Sequence, residues 1–183
     1  MSKTKTDSAG RRPSFGIWIS IAALIVVFDQ LTKWAILEWV PLYGKIPINP
    51  FLNITHQENL GAAFSFLANA AGWQRWFFVA LAGSVSAVIA VWLWRLRSAG
   101  QTMLSAGLAL VLGGAIGNVI DRIRLGHVID FIQVLIYGWP FPSFNVADSA
   151  ITVGAALLIV DALFISGRQK PAPEVVKKKK KKK

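Results

Sequence analysis

Apolar residues run almost without interruption through four stretches of this chain, and polar residues collect in the segments between them. Gly16 to Val40, Gly72 to Trp94, Thr102 to Ile120 and Asn145 to about Ile165 are the four runs. At 1.5 Å per residue, a helix of about 20 residues crosses a hydrocarbon core ~30 Å thick, and each run meets or approaches that length. The second begins and ends with tryptophan, as helices anchored in the two membrane interfaces do. A basic start before an apolar run also describes a secretory signal peptide, but the first run is too long for one and no small-x-small cleavage site ends it.

Between the first two runs, residues 41 to 72 contain Pro41, Pro47 and Pro50 and keep no helical period; Phe51 to Asn59 suits a short β element. Residues 123 to 144 leave the third run through Gly126, pass a short apolar piece (Phe131 to Tyr137) and reach the breaker cluster Gly138 to Pro142, forming a second connecting loop. The pattern predicts an all-α integral membrane protein of four transmembrane helices with a small extracytoplasmic β element. Its parts are a basic cytoplasmic segment (1–15), a membrane domain (16–166, external loops 41–72 and 123–144) and a basic cytoplasmic tail (167–183).

Composition supports the membrane reading: 54% of the 183 residues are apolar, a higher share than soluble domains carry. A formal charge of +11 suggests nucleic acid until its distribution is considered. Lys177 to Lys183 form a terminal tract, and most other basic residues flank apolar runs, so no nucleic-acid partner is expected. The tract suits attraction to anionic membrane lipid. With four spans, Lys3, Lys5, Arg11, Arg12, Arg95, Arg97, Arg168, Lys170 and the tract share one side, against Lys45, Arg75, Arg122 and Arg124 on the other. Both termini are therefore expected in the cytoplasm. The chain has no cysteine and only His56 and His127 as histidines, which leaves little material for a metal or cofactor site, and none is expected.

Ionisable groups at membrane depth are costly, and they normally face a partner or a water-filled cavity. Asn118 to Ser149 holds Asp121, Asp130 and Asp148, and Asp130 and Asp148 each sit at a segment end that water can reach. In the first helix Asp29 and Lys33 are spaced i,i+4, about 22 Å along the axis from Ser14 and so beyond the midplane. Asn118 and Arg122 share one face of the third helix, and Asn145 and Asp148 one face of the fourth. The orientation gathers these residues and Asn59 towards the external side. Asp161 falls at the opposite end as an interfacial charge near Arg168, and it is assigned no chemistry.

Two carboxylates that approach closely cannot both ionise cheaply, so the pair shares a proton. Such a dyad can deprotonate water and protonate a carbonyl or leaving amine, the acid and base work of amide hydrolysis. A serine with Lys33 as base is the weaker competitor, because no serine has a distinctive context. Three readings stay open on spacing alone: a hydrolase, a proton- or ion-translocating subunit, and a scaffold subunit. A relay predicts charges through the whole membrane thickness, whereas most collect on one side.

The motifs FDQLTKW (Phe28 to Trp34), ENLGAAFS (Glu58 to Ser65), GGAIGNVIDRIRLGHVIDF (Gly113 to Phe131) and FNVADSAI (Phe144 to Ile151) resemble those of bacterial lipoprotein signal peptidase, signal peptidase II. They fall in the right order and between the right spans, over about residues 16 to 166. The resemblance implies a four-helix aspartyl peptidase of the inner membrane, with a β-cradle from the 41 to 72 region. It implies Asp130 and Asp148 as the catalytic pair, and Asp29, Lys33, Asn59, Asn118, Arg122 and Asn145 as supporting or substrate-contacting residues. The implied partners are diacylglyceryl-modified prolipoproteins, cleaved on the amino side of the modified cysteine, membrane lipids, and globomycin as inhibitor. The small residues of the third helix, Gly114 and Gly117 among them, are expected to leave a lateral gap for a signal helix and its lipid.

Overall fold

The computed structural model describes residues 14–61, 72–96 and 101–165. Most of the basic N-terminal segment, residues 62–71 of the first external loop, and the tail lie outside the described residues, as do the expectations that rest on them. Four helices are long and apolar enough to cross a membrane: α1 (Phe15–Trp39), α2 (Trp73–Leu96), α3 (Thr102–Arg124) and α4 (Val146–Val160), the last continued by a π-helical turn (Asp161–Ile165). The chain is a multi-pass membrane protein. Leu24, Val27, Phe28, Leu31 and Trp34 of α1 and Leu81, Val88 and Val91 of α2 are exposed on the bundle surface. Such a surface is stable against acyl chains and not against water.

Apolar side chains gain little by leaving lipid for one another, so helix association there depends on close approach. α3 supplies it from the centre of the bundle. A β-carbon on Gly113 would lie 2.7 Å from the Ala22 carbonyl oxygen of α1, and one on Gly117 2.6 Å from Asp29 Oδ2. A turn apart, these two glycines press α3 onto α1. On another face Gly107 and Gly154 bring α3 and α4 together, each with its would-be β-carbon within 2.9 Å of the other's carbonyl oxygen. A β-carbon on Gly114 would lie closer to the Ala147 carbonyl oxygen than van der Waals contact allows. The lateral gap expected at Gly114 and Gly117 is therefore absent: both positions are closed by packing. An opening of about 600 Å3 lies instead between α1, α2 and α3, lined by Ala22, Val26, Ala87, Ala90, Leu112 and their neighbours.

The helix ends divide into two regions. Trp18, Ala22, Ile89, Leu93, Leu108, Ala109 and Leu112 form an apolar core where α1 and α3 begin and α2 ends. Ile36, Val40, Ile129 and Phe131 form a second core at the opposite end, beneath a sheet. That sheet is antiparallel in the order β1 (Lys45–Asn49), β2 (Leu52–Asn59), β3 (Val128–Ile136), β4 (Trp139–Pro140).

Residues 123–144, expected as a connecting loop, thus contribute half of the sheet. α3 continues to Arg124, and β3 pairs along most of β2, from Leu52↔Val134 to Asn59↔Val128. Val128 to Phe131 are all buried, because α1 covers one side while the site residues cover the other. A strand buried on both faces shows no apolar and polar alternation. β3 turns into β4 through Tyr137 and Gly138, at φ 51° and 81°, a left-handed pair that a two-residue hairpin requires. After β4 the chain returns to β3: the Phe131 and Ile132 amides both donate to the Phe144 carbonyl, at 3.0 and 2.8 Å. This return sets Asn145 and the start of α4 beside the buried end of β3. Asp161, expected as an interfacial charge, is buried at the far end of α4.

Candidate active site

The polar residues of five separate elements (α1, β2, α3, β3 and α4) meet at the sheet end of the bundle. Asn145 holds the centre. It is the N-cap of α4, with its side-chain oxygen accepting from the Asp148 amide at 2.9 Å, and its own amide donating to Asp148 Oδ2 at 3.2 Å. This reciprocal arrangement satisfies two of the amides that open a helix. The Asn145 Nδ2 group donates to Asp130 Oδ1 at 2.7 Å, with Asn118 Oδ1 and the Ile129 carbonyl oxygen each at 3.2 Å. One asparagine therefore ties both carboxylates into one network.

The second oxygen of each carboxylate is held from elsewhere. Asn59 Nδ2, at the end of β2, donates to Asp130 Oδ2 at 2.9 Å, while Asn118 Nδ2 of α3 donates to Asp148 Oδ1 at 2.7 Å. Asp130 is buried. Burial pushes its carboxyl up to about 6; the Asp148 charge acts in the same direction, and the Asn59 and Asn145 donors oppose it.

Beneath this pair lies a buried ionic group. Lys33 Nζ bonds to Asp29 Oδ2 at 2.8 Å, Asp121 Oδ2 at 2.7 Å and Asn118 Oδ1 at 2.9 Å, so all three ammonium donors are used. The i,i+4 pair read from the sequence is thus two members of a triad completed by Asp121. Each carboxylate also reaches an element that carries the site. Asp29 Oδ1 accepts from the Ala147 amide in the first turn of α4 at 2.9 Å, and Asp121 Oδ2 receives the Ile129 amide of β3 at 3.4 Å. The ionic group in α1 and α3 thereby fixes the starts of the two segments bearing Asp148 and Asp130.

Seven of the eight sequence candidates join this network directly. Arg122 lies beside it: its Nη1 donates to the Asn118 carbonyl at 3.3 Å and its guanidinium stacks over Phe78 at 5.2 Å. Arg122 Nε is buried without a partner among the described residues. Sequence reasoning missed Asp121 and Gln30 as site residues. Gln30 Nε2 donates to Asp121 Oδ1 at 2.8 Å and to the Gly117 carbonyl at 3.2 Å. The available signal was spacing, since Asp121 lies three residues after Asn118 and so on the same helix face. Among the described residues, no group of three or more histidine, aspartate and glutamate side chains is arranged to hold a metal ion.

The arrangement presents two carboxyl groups of unlike surroundings, held by neutral amides, with the cation one layer below. Such a pair can take a proton from water on one oxygen and give one on another. A cleft of about 350 Å3 opens beside Asp130 over the sheet.

The chain is similar to known proteins over most of its length. The family described as Signal peptidase (SPase) II matches residues 21–164. The lipoprotein signal peptidase of Acinetobacter baumannii (strain ATCC 17978) is 48% identical over 155 residues, which cover 85% of this chain and 87% of that one. The lipoprotein signal peptidase of Paraburkholderia phytofirmans is 49% identical over 164 residues, covering 89% and 94%. A bacterial membrane enzyme solved by the in meso method at 2.3 Å superposes with a TM-score of 0.72 at 34% identity, covering 87% of this chain and 94% of the other. A profile match across most of the chain, relatives near half identity and a shared membrane fold place the chain in one group: it belongs to the signal peptidase II family of membrane peptidases.

Proposed function

We propose that this peptidase removes signal peptides from prolipoproteins, cleaving on the amino side of the diacylglyceryl-modified cysteine, with Asp130 and Asp148 as its catalytic pair. One observation carries the reading: a single buried asparagine bonds both carboxyl groups at the end of the bundle where the sheet lies. The relatives' name supplies the substrate class. The chemistry of that substrate fits the location, because its acyl chains and signal helix stay in the bilayer while the bond to be cut sits at the surface. The 600 Å3 apolar opening between α1, α2 and α3 suits an acyl chain or signal helix better than the closed glycine face of α3.

In the proposed reaction Asp130, with its carboxyl pushed up to about 6, carries the shared proton, and Asp148 acts as the base. Asp148 takes a proton from water as the water oxygen attacks the scissile carbonyl carbon, and Asp130 gives its proton to the carbonyl oxygen. The neutral tetrahedral intermediate collapses as the carbon–nitrogen bond breaks. Asp148 then passes its proton to the leaving nitrogen of the cysteine, and Asp130 recovers its own as the carbonyl reforms. The products are a free carboxyl end and a free amine. Asn59, Asn118 and Asn145 hold the carboxyl groups in place, and Asp29, Lys33 and Asp121 position the segments that carry them. Arg122, beside the cluster, is the available cation for a substrate carbonyl.

The basic residues support a cytoplasmic (inner) membrane location with both termini in the cytoplasm and the pair on the external face. An ion-translocating role is opposed by the apolar core at the other end, where tryptophan, leucine, isoleucine and alanine side chains fill the bundle. The test uses the purified chain in bilayer-like discs with a lipidated precursor and its unlipidated form. Mass spectrometry is expected to find a product beginning at the modified cysteine, only from the lipidated precursor, and globomycin is expected to block it. Cleavage elsewhere, or of both precursors alike, would overturn the assignment.

A further inference from the structure

Among the described residues α2 gives no side chain to the polar network, yet a ring in its second turn meets two residues that border it. Arg75 and Phe78 are three positions apart and so stand on one face of the helix, turned to the end of α3. Arg75 Nη2 donates to the Ile123 carbonyl oxygen at 2.7 Å, one of the carbonyls that the last turn of α3 leaves without a helical partner. The two helices are thereby joined beside the site. Phe78 makes an edge-on contact with Phe77 at 5.3 Å and lies under the Arg122 guanidinium, whose carbon is 5.2 Å from the ring centroid. The same ring fills the space that a side chain on Gly61 would need, since a β-carbon there would overlap Cε2 and Cδ2.

Both contacts lead to the carboxyl pair. Gly61 lies two residues after Asn59, and its amide donates to Asn59 Oδ1 at 2.8 Å. That bond closes an asparagine turn and settles which way the side-chain amide faces, so Nδ2 is left to donate to Asp130 Oδ2 at 2.9 Å. Gly61, at φ 102°, has no side chain to fix it, and the ring against it limits how far its amide can swing. Arg122 in turn is held by Nη1 on the Asn118 carbonyl at 3.3 Å and by the ring, with the charges of Asp148, Asp121 and Asp130 acting on it. A cation over an aromatic face is attracted by the ring's quadrupole, and more strongly where water is excluded. We propose that Phe78 is a positioning residue for the reaction: its ring sets the Asn59 amide on Asp130 through Gly61 and aims the Arg122 guanidinium at the site. This role rests on the peptidase reading above, and Phe78 performs it without touching the reacting atoms.

The test measures kcat/KM on a lipidated precursor across pH for the full chain in bilayer discs. It compares the wild type with Phe78→Leu, Phe78→Tyr, Asn59→Ala and the double variant Phe78→Leu/Asn59→Ala. A cation–π contact corresponds to a factor of roughly 2 to 30, and Phe78→Leu is expected to lose about tenfold. Phe78→Tyr, which keeps an aromatic face, is expected to recover most of that loss. The pH profile separates positioning from packing. The Asn59 donor opposes the upward push of burial on Asp130, whose charged neighbours are Asp148 of α4, Lys33 of α1 and Arg122 of α3. Loosening that donor favours the protonated carboxyl. The alkaline limb that Asp130 produces near 6 is therefore expected to move to higher pH in Phe78→Leu and in Asn59→Ala, with no further movement in the double variant. A smaller folded fraction lowers the whole profile and leaves the limb in place. An unmoved limb in Phe78→Leu, a further displacement in the double variant, or a tyrosine variant no better than leucine would overturn the inference while the peptidase reading stands. A wild type that leaves the precursor uncut would remove both.

Discussion

Replacing Asn145 separates two roles that the structure assigns to one side chain. As N-cap of α4 it accepts from the Asp148 amide, and as a donor it bonds Asp130 at 2.7 Å. An asparagine cap lost to alanine costs about 1 kcal/mol, and a hydrogen bond to a charged group contributes roughly 1.5 to 3 kcal/mol. Asn145→Ala loses both, which sums to about 3 kcal/mol. Asn145→Ser keeps a hydroxyl that caps as well as an amide but is too short to reach Asp130. At 1.36 kcal/mol per tenfold in rate, the Asp130 contact corresponds to roughly 10- to 100-fold in kcat/KM. Both variants are expected to lose that activity on a lipidated precursor, while Asn145→Ser recovers about 1 kcal/mol of stability over Asn145→Ala in mixed-micelle unfolding. Alanine within threefold of wild-type activity, or serine restoring full activity, would refute the reasoning.

Asp130 gives a pH dependence whose sign is fixed. Its folded pKa of about 6 lies above the ordinary 3.8, so its contribution is fully present below 3.8 and is lost as pH rises through 6, amounting to about 3 kcal/mol by pH 8. The stability difference between wild type and Asp130→Asn is therefore expected to change between about pH 4 and 6 and to level off above about 7, and kcat/KM is expected to show an alkaline limb within a unit of 6; a flat profile in both would contradict the burial argument. Gly117→Ala puts a methyl group 2.6 Å from Asp29 Oδ2 and is expected to destabilise by about 1 to 3 kcal/mol, whereas Gly83, with nothing within 4 Å of its would-be β-carbon, accepts alanine without loss. Equal thermal midpoints for these two variants would count against the packing described. Lys33→Met leaves Asp29 and Asp121 buried without their cation, at a cost of roughly 3 to 5 kcal/mol, and is expected to abolish the sharp monodisperse peak in detergent size-exclusion.

The spans were legible because lipid imposes one simple pattern, and all four runs became helices within a few residues of the expected ends. The Asp29 and Lys33 pairing was legible because helical geometry fixes i,i+4 neighbours. Asp121 was harder to place, since its partners Lys33 and Gln30 come from another helix and no local spacing reports them. β3 was hidden for a different reason: a strand covered on both sides carries no period, and its pairing with β2 is non-local. Small residues announce close approach or open space equally well, and only the neighbours of Gly114 and Gly117 decide for approach.

The central claim is that Asp130 and Asp148 act together on one bond. Turnover of a lipidated precursor by Asp130→Asn and by Asp148→Asn, each in bilayer discs, tests it most directly. Loss of general acid or base catalysis corresponds to about 10²- to 10⁴-fold, and a fall of that size is expected in each variant with the thermal midpoint at or above that of the wild type. Either variant cleaving at more than a tenth of the wild-type rate would contradict the account.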